Sequence, residues 1–159
     1  MVEEQDSELQ VRNLEDTDLG GIVALDEKIQ GDYRPEVWEN RITYYFRRDP
    51  EASQVALVDG KVVGFMLGEI RSGEFGLEEP TGWIEVLGVD PDYRGRAIGR
   101  QLAERMLTHF RNSGAESVRT FVDEDTMGDI ARFFEAVGFV PSSMRSFVLS
   151  IGSDGGAEA

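Results

Sequence analysis

The chain has 159 residues, no cysteine, one histidine and a formal charge of −15, from 31 Asp and Glu against 16 Lys and Arg. That length fits one domain, and the charge repels nucleic-acid phosphates. The absent thiols exclude disulfides, thiolate zinc sites and a cysteine nucleophile, and a lone histidine disfavours a His-based triad or metal centre.

The hydrophobic share, 40%, is enough for a core. No apolar run reaches the roughly 18 residues of a membrane span. The acidic start has no signal-peptide pattern, so a cytoplasmic protein is expected, with neither membrane nor nucleic acid as partner. Residues 1–8 and 152–159 read as flexible tails around a single domain, 9–151.

In chain order, residues 9–12 alternate as a short strand. Residues 16–30 carry Leu19, Ile22, Val23 and Leu25 at helical spacing, with Asp16 or Thr17 as cap. Gly31-Asp32-Tyr33-Arg34 breaks that helix, Pro35 suits the first turn of a second, and Asp49-Pro50 stops it. Residues 54–58 and 61–70 are rich in β-formers, joined by Asp59-Gly60, a two-residue hairpin signal. After a Gly- and Glu-rich loop, residues 83–89 form a strand that is apolar on both faces apart from Glu85, so it is expected to be central and buried. Gly88 near its end predicts a bulge or a close backbone approach.

A loop then opens a helix over 97–112, with Ile98, Leu102, Met106 and Phe110 as its apolar stripe and Gly114 as its stop. Residues 117–122 read as a strand. Asp125 or Thr126 caps a helix to Val137, with Ile130, Phe133, Phe134 and Val137 on one face and Gly138 as its stop. Residues 139–151 are strand-like, interrupted at Pro141. The order β-α-α-β-β-β-α-β-α-β predicts an α/β fold, a mixed central sheet with helices on both faces.

The chemistry concentrates where strand 83–89 meets helix 97–112. The first N–H groups of a helix are unpaired and carry partial positive charge, and small residues let an anion approach the backbone. Arg94, Arg96 and Arg100 add positive charge to an acidic chain, which makes a diphosphate cradle. An ordinary strand–loop–helix with surface arginines is the competing reading. No G-x-x-x-x-G-K-S/T loop is present, and the glycine pattern fits a dinucleotide site poorly.

This stretch resembles the acetyl-CoA-binding signature of the GNAT N-acetyltransferase superfamily, Arg/Gln-x-x-Gly-x-Gly/Ala, with Arg94, Ala97 and Gly99 at its three defined places. The lead-in Val89-Asp90-Pro91-Asp92-Tyr93 is similar to the family's. Arg132-Phe133-Phe134-Glu135-Ala136-Val137-Gly138-Phe139 resembles its second landmark, (F/L)-Y-E-x-x-G-F. The element order matches over nearly the whole chain.

The resemblance implies a GNAT-like fold and an N-acetyltransferase that passes acetyl from acetyl-CoA to a primary amine by direct attack, with no metal. It implies that backbone groups of Leu87 and Val89 bind the pantetheine arm and thioester. The N–H groups of Arg94, Gly95, Arg96, Ala97, Ile98 and Gly99, with Arg100, would hold the diphosphate. The sheet would part between strands 83–89 and 117–122 to admit the cofactor. Relatives often dimerise through sheet edges or C-terminal strands, so a homodimer stays open.

Two positions depart from the family pattern. Ala97 replaces the first motif glycine, which is tolerable if its φ is negative. Phe134 stands where many relatives carry a Tyr proposed to protonate the leaving thiolate, and Phe has no proton to give. Met127 stands near a common cofactor-contacting Asn. Phe134 motivates the alternative of a CoA-binding regulatory or interaction domain without turnover.

A lysine amine, of pKa about 10.4, is almost wholly protonated at pH 7, and an α-amino group, near 8, is partly neutral. A base is therefore needed, most of all for lysine. Glu85, the sole ionisable side chain of its strand, is the first candidate, with burial expected to tune it. Asp123 is the second. Tyr33 is the candidate acceptor-site residue, and the acceptor is a protein N-terminus, a lysine or a small amine. Asp26, Glu27, Asp32 and Glu69 would favour a cationic acceptor, whereas His109 lies far from the motif.

Overall fold

The computed structural model describes residues 8–152, so the tails read at 1–8 and 152–159 lie outside the described residues except for Glu8 and Gly152. The hairpin signal at Asp59-Gly60 is the simplest local case. Both residues have positive φ, 52° and 79°, the conformation of a tight two-residue hairpin turn. They join β2 (Gln54–Val58) to β3 (Lys61–Arg71). β1 (Leu9–Asn13) pairs with β2, and β4 (Thr81–Val89) with β3, all antiparallel. β5 (Ser117–Thr120) pairs parallel to β4, completing the strand order β1-β2-β3-β4-β5.

Alternation along the strands divides the core. Val55, Leu57, Phe65 and Leu67 face α1 (Leu19–Gln30) and α2 (Pro35–Arg48), against Ile22, Leu25, Trp38, Ile42 and Tyr45. The other face receives α3 (Ile98–Asn112), whose Ile98, Leu102, Met106 and Phe110 are all buried. Each such side chain contributes about 1.5–3 kcal/mol by leaving water. Gly64 sets how closely the start of α3 approaches: a Cβ there would meet Ile98 Cγ2 at 2.9 Å. The mixed sheet with helices on both faces is thus present in the unit that ends at Phe121.

The unit from Val122 onward holds α4 (Gly128–Ala136) and the residues after it. Phe134 is its buried anchor, with Phe133 and Phe139 edge-on at 5.1 and 5.0 Å. Gly138 ends the helix at φ 108°, as expected.

Several boundaries moved. Residues 16–18 form a 3-10 turn because Asp18 accepts the Glu15 N–H at 2.9 Å and two Arg12 donors, so neither Asp16 nor Thr17 caps α1. The strand expected over 117–122 stops at Thr120. α4 starts behind Met127 rather than behind Asp125 or Thr126, because Asp123 turns the chain first. Its carboxylate takes the Asp125 N–H at 3.0 Å, and its carbonyl takes those of Thr126 and Met127 at 3.2 and 2.7 Å. No strand forms over the described residues 139–151. The alternating pattern is real, but no neighbouring strand pairs its backbone, and Val140, Phe147, Val148, Leu149 and Ile151 are exposed.

Candidate active site

The strand β4 changes character halfway. Residues 81–84 are buried and pair with β3 on one side and β5 on the other, the last pair with β5 being Ile84 with Thr120. From Glu85 to Val89 the strand keeps only its β3 partner, and its residues are half-buried or exposed. The buried strand expected over 83–89 is therefore buried only at its start.

The bulge also lies elsewhere than expected. Leu67 opposes Val86 and Gly68 opposes Ile84, so Glu85 is the extra residue. Gly88 is in register opposite Phe65 and serves close packing instead, since a Cβ there would meet the Phe65 ring at 2.9 Å. Leu87 and Val89 lie on the half-paired stretch and are half-buried.

Beyond Val89, a buried carboxylate fixes the loop. Asp90 is fully buried, receives Lys28 Nζ at 2.8 Å and caps the next turn through the Asp92 N–H at 2.9 Å. Burial disfavours its charge, but Lys28 and the Asp92 amide outweigh that and hold Asp90 below the usual carboxylate range.

The loop then passes through two left-handed residues, Gly95 at φ 85° and Ala97 at φ 59°. The negative φ that would make alanine tolerable at this place is not observed for Ala97. Its methyl group sits in the region that favours glycine, at a cost of about 1–2 kcal/mol. Ala97 is the N-cap of α3 and has no side-chain acceptor, and the first intrahelical bond is Gln101 N–H to Ala97 C=O at 3.0 Å. The N–H groups of Ile98, Gly99 and Arg100 precede that bond. Arg94, Arg96 and Arg100 are exposed around them. Arg96 lies over the Tyr93 ring at 5.1 Å, and Arg100 faces Glu104 at 3.7 Å.

Glu85 is the sole ionisable residue of its strand, as expected, but side chains of other elements hold it. Its side chain is 30% exposed, accepts Tyr45 Oη at 2.7 Å on Oε1 and pairs with Arg71 Nη2 on Oε2. The other arm of Arg71, Nη1, meets Glu69. Glu69 is completely buried and also accepts Arg48 Nε at 2.6 Å and Tyr44 Oη at 2.5 Å. Burial and donation to Glu85 push the Tyr45 hydroxyl far up, so it stays a donor. Donation to Glu69 and burial raise Tyr44 as well. Burial opposes the Arg71 charge, but Glu85 and Glu69 more than offset it.

Sequence reasoning missed Arg71, Tyr45 and Tyr44, and read Glu69 only as an acidic residue. One signal was available: Glu69 and Arg71 are spaced to share a face of an otherwise apolar strand.

The remaining candidates are more dispersed. Tyr33, in the link between α1 and α2, is 67% exposed and free to meet a ligand from solution. Of the four acids read as acceptor-favouring, Asp26 is buried in a two-armed pair with Arg34 and Glu69 is paired as above, while Glu27 and Asp32 are exposed. Asp123 is occupied by the turn it caps, and Phe134 by its aromatic cluster. His109 bonds Asp49 at 2.8 Å near the far end of α3.

In β4 a strand thus loses one neighbour at a bulge and leads into the N-terminus of α3. The chain belongs to the acetyltransferase (GNAT) family, whose family model matches residues 11–139. A mycothiol acetyltransferase of Thermobispora bispora is 35% identical over 91 residues, 57% of this chain and 30% of that protein. A second, of Propionibacterium freudenreichii subsp. shermanii, is 31% identical over 138 residues, 82% of this chain and 43% of its own length. The chain thus spans less than half the length of these curated relatives. Among solved structures, an aminoglycoside N-acetyltransferase in complex with CoA superposes with a TM-score of 0.79 at 19% identity, covering 94% of this chain and 99% of that one. Ard1 from Thermoplasma volcanium does so at 0.67 and 25% identity, covering 85% and 84%.

Proposed function

We propose that this chain is an acetyl-CoA-dependent N-acetyltransferase that acts directly on a primary amine. The observation that carries the reading is the half-paired stretch of β4, which starts at the bulged Glu85 and runs through the buried Asp90 to the open start of α3. The cradle fits a CoA diphosphate: a Cβ built on Gly95 meets nothing within 4 Å, and three arginines surround the helix N–H groups. Acetyl-CoA would supply an acetyl group already activated as a thioester.

The chain's own residues would then do the following. The N–H groups over residues 94–99, with Arg100, hold the diphosphate. The backbone of Leu87 and Val89 aligns the pantetheine arm as an added strand would be aligned. Glu85 takes the proton that the acceptor nitrogen must lose. The nitrogen attacks the thioester carbonyl carbon, the C–N bond forms, and the C–S bond breaks with its electron pair going to sulfur. A thiol pKa near 8.5 makes CoA a fair leaving group without a protein acid, which suits Phe134. Asp123, whose carboxylate caps the turn before α4, remains the second candidate base.

The acceptor we propose is a small primary amine rather than a protein N-terminus or a lysine. The curated relatives named mycothiol acetyltransferases support this, and exposed Tyr33 with Asp32 and Glu27 offers an aromatic face and negative charge for its recognition. A cytoplasmic location accords with the described helices, none of which is long and apolar enough to cross a membrane. A homodimer would give exposed Phe147, Val148, Leu149 and Ile151 a partner.

Calorimetric titration with acetyl-CoA tests the cradle, with CoA and ATP as comparisons. Micromolar binding of acetyl-CoA and CoA, and none of ATP, is expected. No binding of acetyl-CoA would overturn the proposal.

A further inference from the structure

A carboxylate on a bulge, 30% exposed at the end of a flexible side chain, has no fixed place unless other groups give it one. Here both oxygens are held from different elements: Oε1 by Tyr45 of α2 and Oε2 by Arg71 of β3. Tyr45 is buried and stays a donor. Arg71 is itself anchored. One arm meets the fully buried Glu69, Nε lies 3.6 Å from Glu74, and the guanidinium sits 5.8 Å from the Trp83 ring centre. Behind them Arg48 and Tyr44 complete the shell of Glu69. The planar fork of Arg71 meets the two carboxylates through separate nitrogens, whereas an ammonium would offer both a single point charge.

We infer that Arg71 is a positioning residue for the transfer reaction: it ties Glu85 to the buried Glu69 and thereby fixes where the base stands. The inference rests on the proposed role of Glu85. Each carboxylate oxygen carries a second lone pair, so Glu85 can take a proton while both clamps remain. The facing groups are Arg48, Tyr44 and Tyr45 from α2, Glu69 and Arg71 from β3, and Glu74 just after it.

The test is steady-state kinetics of the whole chain, with acetyl-CoA and an amine that the wild type accepts. The variants are Glu85→Gln, Arg71→Met and Arg71→Lys. A Glu69→Gln/Arg71→Met double variant is added, so that loss of the cation need not leave the buried carboxylate short of a partner. Glu85→Gln should lose activity by about a hundredfold or more. Arg71→Met and the double variant should lower kcat about ten- to a hundredfold, with KM for acetyl-CoA within about twofold. Arg71→Lys should recover only part of the lost kcat, because it restores charge without the fork.

If Glu85→Gln loses activity while folded Arg71→Met or the double variant keeps wild-type kcat, the positioning role is overturned. It is equally overturned if these variants lose activity through a raised KM for acetyl-CoA at unchanged kcat, which marks a structural role. If Glu85→Gln stays fully active, the base assignment itself fails.

Discussion

The two ends of the open stretch of β4 are built by opposite means. At the loop end, the cradle proposed over residues 94–100 rests on backbone shape, and its arginines are exposed. At the bulge end, Glu85 is set by side chains from α2 and β3, one of them 40 positions away in sequence, and the network closes on a carboxylate with no solvent exposure. A backbone site is sensitive to added bulk and indifferent to most side chains. A side-chain site is sensitive to every member, because each removal strands another charge.

The contrast breaks most sharply at Glu69. Glu69→Ala should cost about 3 kcal/mol in chemical denaturation, because Arg48, Arg71 and Tyr44 lose a shared buried acceptor. A change below about 1 kcal/mol would show that the network holds together without it.

At the other end, Gly99→Glu should weaken acetyl-CoA about a hundredfold by calorimetry, about 2.7 kcal/mol, with little change in melting temperature. A carboxylate there meets the diphosphate with like charge at the start of the helix. Binding within threefold of wild type would place the diphosphate elsewhere.

A smaller effect sharpens the same point. Ala97→Gly should stabilise the fold by about 0.5–1 kcal/mol, the relief of left-handed strain less the extra freedom of glycine in the unfolded chain. Acetyl-CoA should bind at least as well, and a destabilised variant would mean the methyl group makes a favourable contact.

The smallest effect is a slope. Asp26 and Asp90 are both held below the ordinary carboxylate value of 3.8, Asp26 by Arg34 and Asp90 by Lys28, each against the cost of burial. Their contribution is fully present above that value and is lost as pH falls through the lower folded values, where the unfolded chain binds more protons. Asp90→Asn should therefore flatten the fall of stability below about pH 4. An unchanged slope would mean that Asp90 adds nothing to it.

The same division decides what the sequence disclosed. The hairpin at Asp59-Gly60 and the α3 stripe are local patterns, and each occupies the expected residues. The family resemblance rested on such patterns too. The bulge at Glu85 rather than Gly88 depends on the register against β3, which pairing fixes and composition does not. The exposure and pairing of Glu85 depend on Arg71 and Tyr45, residues that look like ordinary surface and core positions until the sheet folds. The positive φ of Ala97 is a constraint of the loop that overrides the preference of the residue. At residues 139–151 the alternation was visible, but the strand also needed a neighbour that the described sheet does not supply.

The central claim is amine acetylation from acetyl-CoA. Its most direct test is the release of free CoA thiol by the purified chain with acetyl-CoA, with and without a panel of small primary amines, α-amino peptides and lysine peptides. The account predicts release that depends on a small amine and yields its N-acetyl product, identified by mass. Micromolar binding of acetyl-CoA with no amine-dependent release across the panel would contradict it and leave a CoA-binding domain without turnover.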